Sequence, residues 1–375
     1  MKKVLIFYAS YGGGHLTAAK SIESYIRNNY KEVDIELIDC IKYVNKTIEK
    51  LTTVAYKQMA KKAPWAWGRI YSDAQKGPLA HLSTRSNKVL AIKLLKLLRE
   101  KKPDLIISTH PFGSQMPSYL KRKGKINAKI ATVMTDFAPH DQWLVGNDFV
   151  DYFFVAHNKM KNYLLSKNIP EEKIYVTGIP ISNKFLINYD KTQILNSLGF
   201  YENKKTVLFF GGGEYGLGKT RTANIFESLI KNYSDIQVIA ISGRNAKMKE
   251  AFREIVDCYN KQDSVKILEF TDKVPEYMAI SDLVITKPGG LTTSESLASN
   301  LPMVIINPIP GQEEENAEFL EEKGIAVWIR KDDEPEYILD NILNNKDKLL
   351  TMKVNTNILA KKYSTSDICK ILLNR

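Results

Sequence analysis

Lys3-Val4-Leu5-Ile6-Phe7-Tyr8-Ala9-Ser10-Tyr11-Gly12-Gly13-Gly14-His15 is the stretch on which the reading of this chain turns. A short apolar run broken by glycines and followed by amphipathic spacing from Leu16 to Asn28 reads as a buried strand, a tight turn and a helix. The same order recurs at Thr206-Val207-Leu208-Phe209-Phe210, which leads into the glycines between Gly211 and Gly218. Around these two starts, strands are expected at 3–9, 33–38, 104–108, 129–134, 151–155 and 174–177, then at 206–210, 236–241, 265–268, 283–286, 302–306 and 325–329. Helical spacing separates them, as in Val89 to Arg99. Such alternation predicts an α/β chain whose parallel strands are joined by crossover helices. The text is irregular from the end of Thr177-Gly178-Ile179-Pro180 to Lys204, so two doubly wound, Rossmann-like domains are expected, 1–180 and 181–375. The last helix is allowed to pack back on the first domain. Ligands of such sheets bind beyond the carboxyl ends of the strands, and a crevice between the domains is the expected site.

Bulk properties remove several classes. With 44% hydrophobic and 26% charged residues the chain is neither disordered nor membrane-embedded in composition. Its apolar runs fall far short of the roughly 20 residues that a spanning helix needs. Cys40, Cys258 and Cys369 form no Cys-x-x-Cys pair, so neither a zinc site nor a disulfide framework is indicated, and the compartment reads as cytoplasmic. The net charge of +12 is uneven: from Lys42 to Lys125 there are 19 basic residues against four acids. Lys61, Lys62 and Arg69 lie there beside Trp65 and Trp67, a mixture suited to anionic lipid headgroups. A solvated basic face is the plain alternative. Nucleic acid is not expected, because no binding module accompanies the charge.

Five motifs carry chemistry. Gly12-Gly13-Gly14-His15 combines a loop that lets backbone N–H groups approach an anion with an imidazole at a strand's carboxyl end. Thr135-Asp136-Phe137, with His140 and Trp143 after it, follows another strand; Asp136 is either a helix cap or a carboxylate able to accept a proton from an attacking hydroxyl. Gly213-Glu214-Tyr215-Gly216-Leu217-Gly218-Lys219-Thr220 matches the P-loop spelling, but the later strands end at Ser242, Thr286 and Asn307 rather than at a magnesium-binding Asp. The stretch is therefore expected to cradle a diphosphate of another kind. Lys287-Pro288-Gly289-Gly290-Leu291-Thr292, with Glu295 one turn on, and Pro310-Gly311-Gln312-Glu313 with Asn316 face one sheet edge and imply a nucleotide-sugar pocket.

These elements, together with Gly243-Arg244-Asn245, resemble glycosyltransferase family 28 in its diacylglycerol branch: bacterial processive diacylglycerol β-glucosyltransferases and plant monogalactosyldiacylglycerol synthases. The resemblance spans nearly the whole chain. It implies a GT-B fold, inversion at the anomeric carbon, no metal and no cofactor, UDP-glucose as donor and the 3-hydroxyl of diacylglycerol as acceptor, with processive transfer as an extension. UDP-galactose and other UDP-sugars remain alternative donors, with a P-loop NTPase or a non-enzymatic UDP-sugar sensor more remote. By motif position the donor is held by Gly14, Gly213, Gly216, Gly218, Gly243, Arg244, Asn245, Phe270, Thr271, Pro288, Gly289, Gly290 and Thr292. Phe270-Thr271 would meet the uracil, Glu295 the ribose, and Gln312 and Glu313 the sugar, with Asn316 also at the donor. Asp136 is favoured as the proton acceptor, directly or through His15. His140, Trp143 and the Lys61–Arg69 cluster would serve the acceptor or an anionic membrane, making the protein peripheral at the cytoplasmic face of the cell membrane.

Overall fold

In the computed structural model, residues 2–10, 13–44, 93–212 and 219–374 are described. The chain forms two compact units, one of residues Met1–Asn183 with Lys361–Arg375 and one of residues Lys184–Ala360. Each contains a six-stranded, fully parallel sheet, so the α/β architecture expected from the strand–glycine–helix pattern is present twice. The strands are β1 (Lys3–Tyr8), β2 (Asp34–Asp39), β3 (Leu105–Ser108), β4 (Lys129–Val133), β5 (Tyr152–Val155) and β6 (Ile174–Val176) in the first unit. In the second they are β7 (Lys205–Phe210), β8 (Ile236–Ile241), β9 (Val265–Leu268), β10 (Leu283–Thr286), β11 (Met303–Ile306) and β12 (Ala326–Ile329). Central strands are buried on both faces, as parallel sheets flanked by helices require, which is why they read as unbroken apolar runs rather than alternating ones.

Strand order places the ligand-binding edge. The first sheet runs β2-β1-β3-β4-β5-β6 and the second β12-β11-β10-β7-β8-β9. The order reverses between β1 and β3 and between β7 and β10, so loops leaving those strands diverge and open a crevice at their carboxyl ends. His15 follows β1, Thr109 and His110 follow β3, and Lys287-Pro288-Gly289 follows β10. The sequence motifs thus emerge at the two switch points.

The last helix, Ser364–Leu373, belongs to the first unit. Its Ile368, Cys369 and Leu372 share a core with Ala19, Ile22 and Ile26 of the helix Gly14–Asn29, three residues spaced along one helical face. Thr177-Gly178-Ile179-Pro180 receives it. Ser364 and Thr365 donate through their hydroxyls to the carbonyls of Ile179 and Ile181 at 2.8 and 2.7 Å. Gly178 has φ +89°, and a Cβ there would lie 2.4 Å from Cβ of Lys361, so only glycine permits this approach.

Candidate active site

The first unit gathers its polar residues where β1, β3 and β4 end. Thr109 bonds twice to the opening of the glycine loop: its backbone N–H donates to Phe7 O at 3.0 Å and its hydroxyl to His15 O at 2.9 Å. His15 Nδ1 stands 2.7 Å from the Thr109 carbonyl and 2.9 Å from Thr135 Oγ1. A carbonyl can only accept, so Nδ1 carries the ring proton and Nε2 holds the lone pair. His110 packs edge-on against His15, with ring centroids 4.7 Å apart. Burial lowers the pKa of His15 against the opposing pull of Asp136 and the Thr109 carbonyl, so the ring is neutral at pH 7.

Asp136 is buried, and its Oδ2 accepts from His140 Nε2 at 3.0 Å and from Trp143 Nε1 at 2.6 Å. Burial alone would raise this carboxyl. The bonds and charge of His140, the nearby His15 and the Trp143 indole outweigh it and hold the pKa below the usual carboxylate range. Asp136 is therefore a fixed negative charge, and a poor proton acceptor by itself. Its field raises His15, against the larger lowering that burial brings. His140 and Trp143 face inward: Trp143 has no exposed surface, and both side chains hold Asp136 rather than meeting a surface. Trp65, Trp67, Lys61, Lys62 and Arg69 lie outside the described residues. Sequence reasoning missed Thr109 and His110. Their signal was available in Ser108-Thr109-His110-Pro111, a strand end followed by proline at the start of a helix.

In the second unit two helix starts converge. Gly289 and Gly290 open the helix Gly290–Ala298, and Gly311, with φ +92°, opens the helix Gln312–Glu322. Asn316, fully buried, donates through Nδ2 to Pro288 O at 2.9 Å and so ties the second helix to the first loop. Glu313 Oε2 accepts from Ile309 N at 2.7 Å, while its Oε1 lies 4.0 Å from where a Cβ on Gly289 would stand. Burial raises the Glu313 carboxyl, against Lys287 and the Ile309 amide, and the same burial lowers the Lys287 ammonium against the pull of Glu313. Thr292 and Gln312 sit in the first turns of their helices. At the end of β8, Gly243 takes φ +61°, Asn245 caps the next helix by accepting from Met248 N at 3.2 Å, and Arg244 stands 5.0 Å from the ring centre of exposed Phe270. Thr271 accepts from Lys273 N at 3.1 Å. Gly14 opens the first unit's helix, whereas Gly213, Gly216 and Gly218 lie outside the described residues.

Glu295 carries its own test. Burial pushes its pKa up to about 8 from an unfolded value of 4.5. Between those values the folded protein keeps a proton that the unfolded chain has released, so this group makes stability fall as pH rises through that window. Glu295→Gln removes the titration. Its melting temperature should match the parent at pH 4 and exceed it increasingly up to pH 8; a difference independent of pH would refute the assignment.

Comparison with known proteins bears on both units. The family described as monogalactosyldiacylglycerol (MGDG) synthase matches residues 15–181, and the glycosyltransferase family 28 C-terminal domain matches residues 206–368. A processive diacylglycerol β-glucosyltransferase of Staphylococcus saprophyticus is 33% identical over 380 residues, covering 100% of this chain and 93% of its own. Among solved structures, S. aureus MnaA with UDP superposes with a TM-score of 0.67 at 16% identity, over 100% of this chain and 97% of that one. Acinetobacter baumannii MurG does so at 0.67 and 13% identity, with both chains covered in full. At such identities these two speak for the fold, which is the GT-B type with two Rossmann-like units.

Proposed function

We infer the reaction from the premise that this chain belongs to glycosyltransferase family 28 in its diacylglycerol, MGDG synthase-like branch: it transfers glucose from UDP-glucose to the 3-hydroxyl of 1,2-diacylglycerol. The observation that carries the reading is the end-to-end likeness to processive diacylglycerol β-glucosyltransferases, joined to a neutral histidine beside a fixed carboxylate in the first unit. UDP-glucose is α-linked, so a β-glucoside formed in one displacement inverts the anomeric carbon. The acceptor oxygen forms its bond to C1 as the bond from C1 to the diphosphate breaks. The hydroxyl proton passes to His15 Nε2, and Asp136 stabilises the imidazolium.

The second unit holds the donor. Glu295 takes the ribose diol, Gln312 and Glu313 the glucose hydroxyls, and Phe270-Thr271 the base. Backbone N–H groups at the Gly289-Gly290 helix start face the diphosphate, where the positive end of a helix stabilises departing negative charge. Repeated transfer onto the product and a peripheral position at the cytoplasmic face of an anionic membrane complete the reading. Purified protein given diacylglycerol vesicles and labelled UDP-sugars should form glucosyl-lipid from UDP-glucose; no glycolipid from any UDP-sugar sinks the proposal.

Metal independence is tested in the same assay. No Asp-x-Asp motif accompanies the donor elements, and two helix starts are available for the diphosphate. Transfer should continue at full rate in excess EDTA. Loss on chelation with recovery on adding magnesium would overturn this part of the mechanism.

A further inference from the structure

The helix Lys346–Leu359 of the second unit has two apolar faces. Leu349, Met352 and Thr356 are buried on one side. On the other, Leu350, Val354 and Ile358 follow one another at intervals of four and are 63%, 53% and 76% exposed. Residues spaced by four lie one above the other on a helix, so the three form a continuous aliphatic stripe. The outer face of a surface helix ordinarily carries polar residues, and a contiguous apolar patch there marks a contact.

Charge identifies what makes that contact. Residues 184–345 hold 18 basic and 25 acidic side chains, a net −7, whereas residues 346–360, the rest of the unit, hold three lysines and one aspartate, a net +2. The sign of the unit thus reverses at this helix. Lys353 is engaged with Asp282 at 3.0 Å, while Lys346 is exposed one turn before Leu350, in line with the stripe. An aliphatic stripe headed by a lysine, on a helix of net positive charge, fits the boundary between acyl chains and anionic headgroups. A water-soluble protein partner would find the aliphatic contact without a use for that charge.

We propose that the outer face of the helix Lys346–Leu359 docks on an anionic bilayer, with Leu350, Val354 and Ile358 entering the headgroup boundary and Lys346 meeting lipid phosphate. This is a contact of the second unit, additional to the basic segment of the first. It rests on the proposed transfer only in that the acceptor resides in a bilayer.

The test uses the full chain, without UDP-sugar, sedimented with phosphatidylcholine vesicles with and without phosphatidylglycerol. Combined Leu350→Ser, Val354→Ser and Ile358→Ser substitution should weaken partition onto the mixed vesicles at least about tenfold, given the apolar area withdrawn from lipid. Circular dichroism and UDP affinity should be unchanged. Lys346→Glu should weaken binding to the mixed vesicles and flatten its salt dependence; this variant carries the test if the serine variant loses its fold. The proposal fails if both variants bind like the parent. It also fails if the serine variant only converts a dimer to a monomer in sedimentation velocity while vesicle binding stays the same. Because partition is read without turnover, an absence of glucosyl transfer would count against the proposed reaction alone.

Discussion

Asp136→Asn is expected to lower turnover at least about 10²-fold while leaving UDP affinity nearly unchanged, since removing the carboxylate partner of a catalytic imidazole costs up to about 10⁴-fold. The amide keeps the size of the carboxylate but not its charge. It forfeits the negative field that favours a protonated His15 and turns one oxygen into a donor opposite His140 Nε2 and Trp143 Nε1, which both donate already. His15→Gln should impair turnover by at least as much, because it removes the accepting nitrogen itself. The pH profile separates the roles. Burial lowers His15 from 6.5, so kcat/KM should fall on the acid side with a midpoint below 6.5 as the imidazole becomes protonated and ceases to be a base. In Asp136→Asn the opposing pull of the carboxylate is gone, and that midpoint should move lower still. Near-normal turnover with an unmoved acid limb would remove both residues from the chemistry.

How much of this was legible beforehand varies with what a local pattern can encode. Strand positions were readable because a strand buried on both faces must be apolar throughout; Val4 to Phe7 and Leu283 to Ile285 could hardly be anything else. Glycine loops at the strand ends were readable for a similar reason, since few other residues allow the turn. The direction of loop side chains was not. His140 and Trp143, expected to serve the acceptor or the membrane, turn inward and donate to Asp136, a direction no helical or strand period in the sequence encodes, since a buried carboxylate recruits donors within reach. Thr109 escaped notice because its contribution is a carbonyl, which every residue has. The stripe of Leu350, Val354 and Ile358 is masked in the sequence by Leu349 and Met352, whose neighbouring apolar positions belong to the buried face of the same helix.

Glu313→Gln should lower kcat/KM for UDP-glucose by about 10- to 100-fold, with UDP itself inhibiting within about threefold of its effect on the parent, since a hydrogen bond to a charged group contributes roughly 1.5–3 kcal/mol. One carboxylate oxygen is already committed to the Ile309 amide, which fixes the side chain, and the other stands over Gly289 with space where a Cβ would be. That second oxygen is the one available to a sugar hydroxyl. Burial raises the group, and Lys287 and the Ile309 amide counteract it. Gln keeps the shape, but its amide must turn either an oxygen or an NH₂ toward Ile309 N, and retaining that bond leaves only a donor toward the sugar. Hydroxyls that donated to the carboxylate then lose their acceptor, whereas UDP, which lacks the glucose, does not register the change. Equal losses for UDP-glucose and UDP would assign Glu313 to the shape of the loop after β11 instead of to recognition of the sugar.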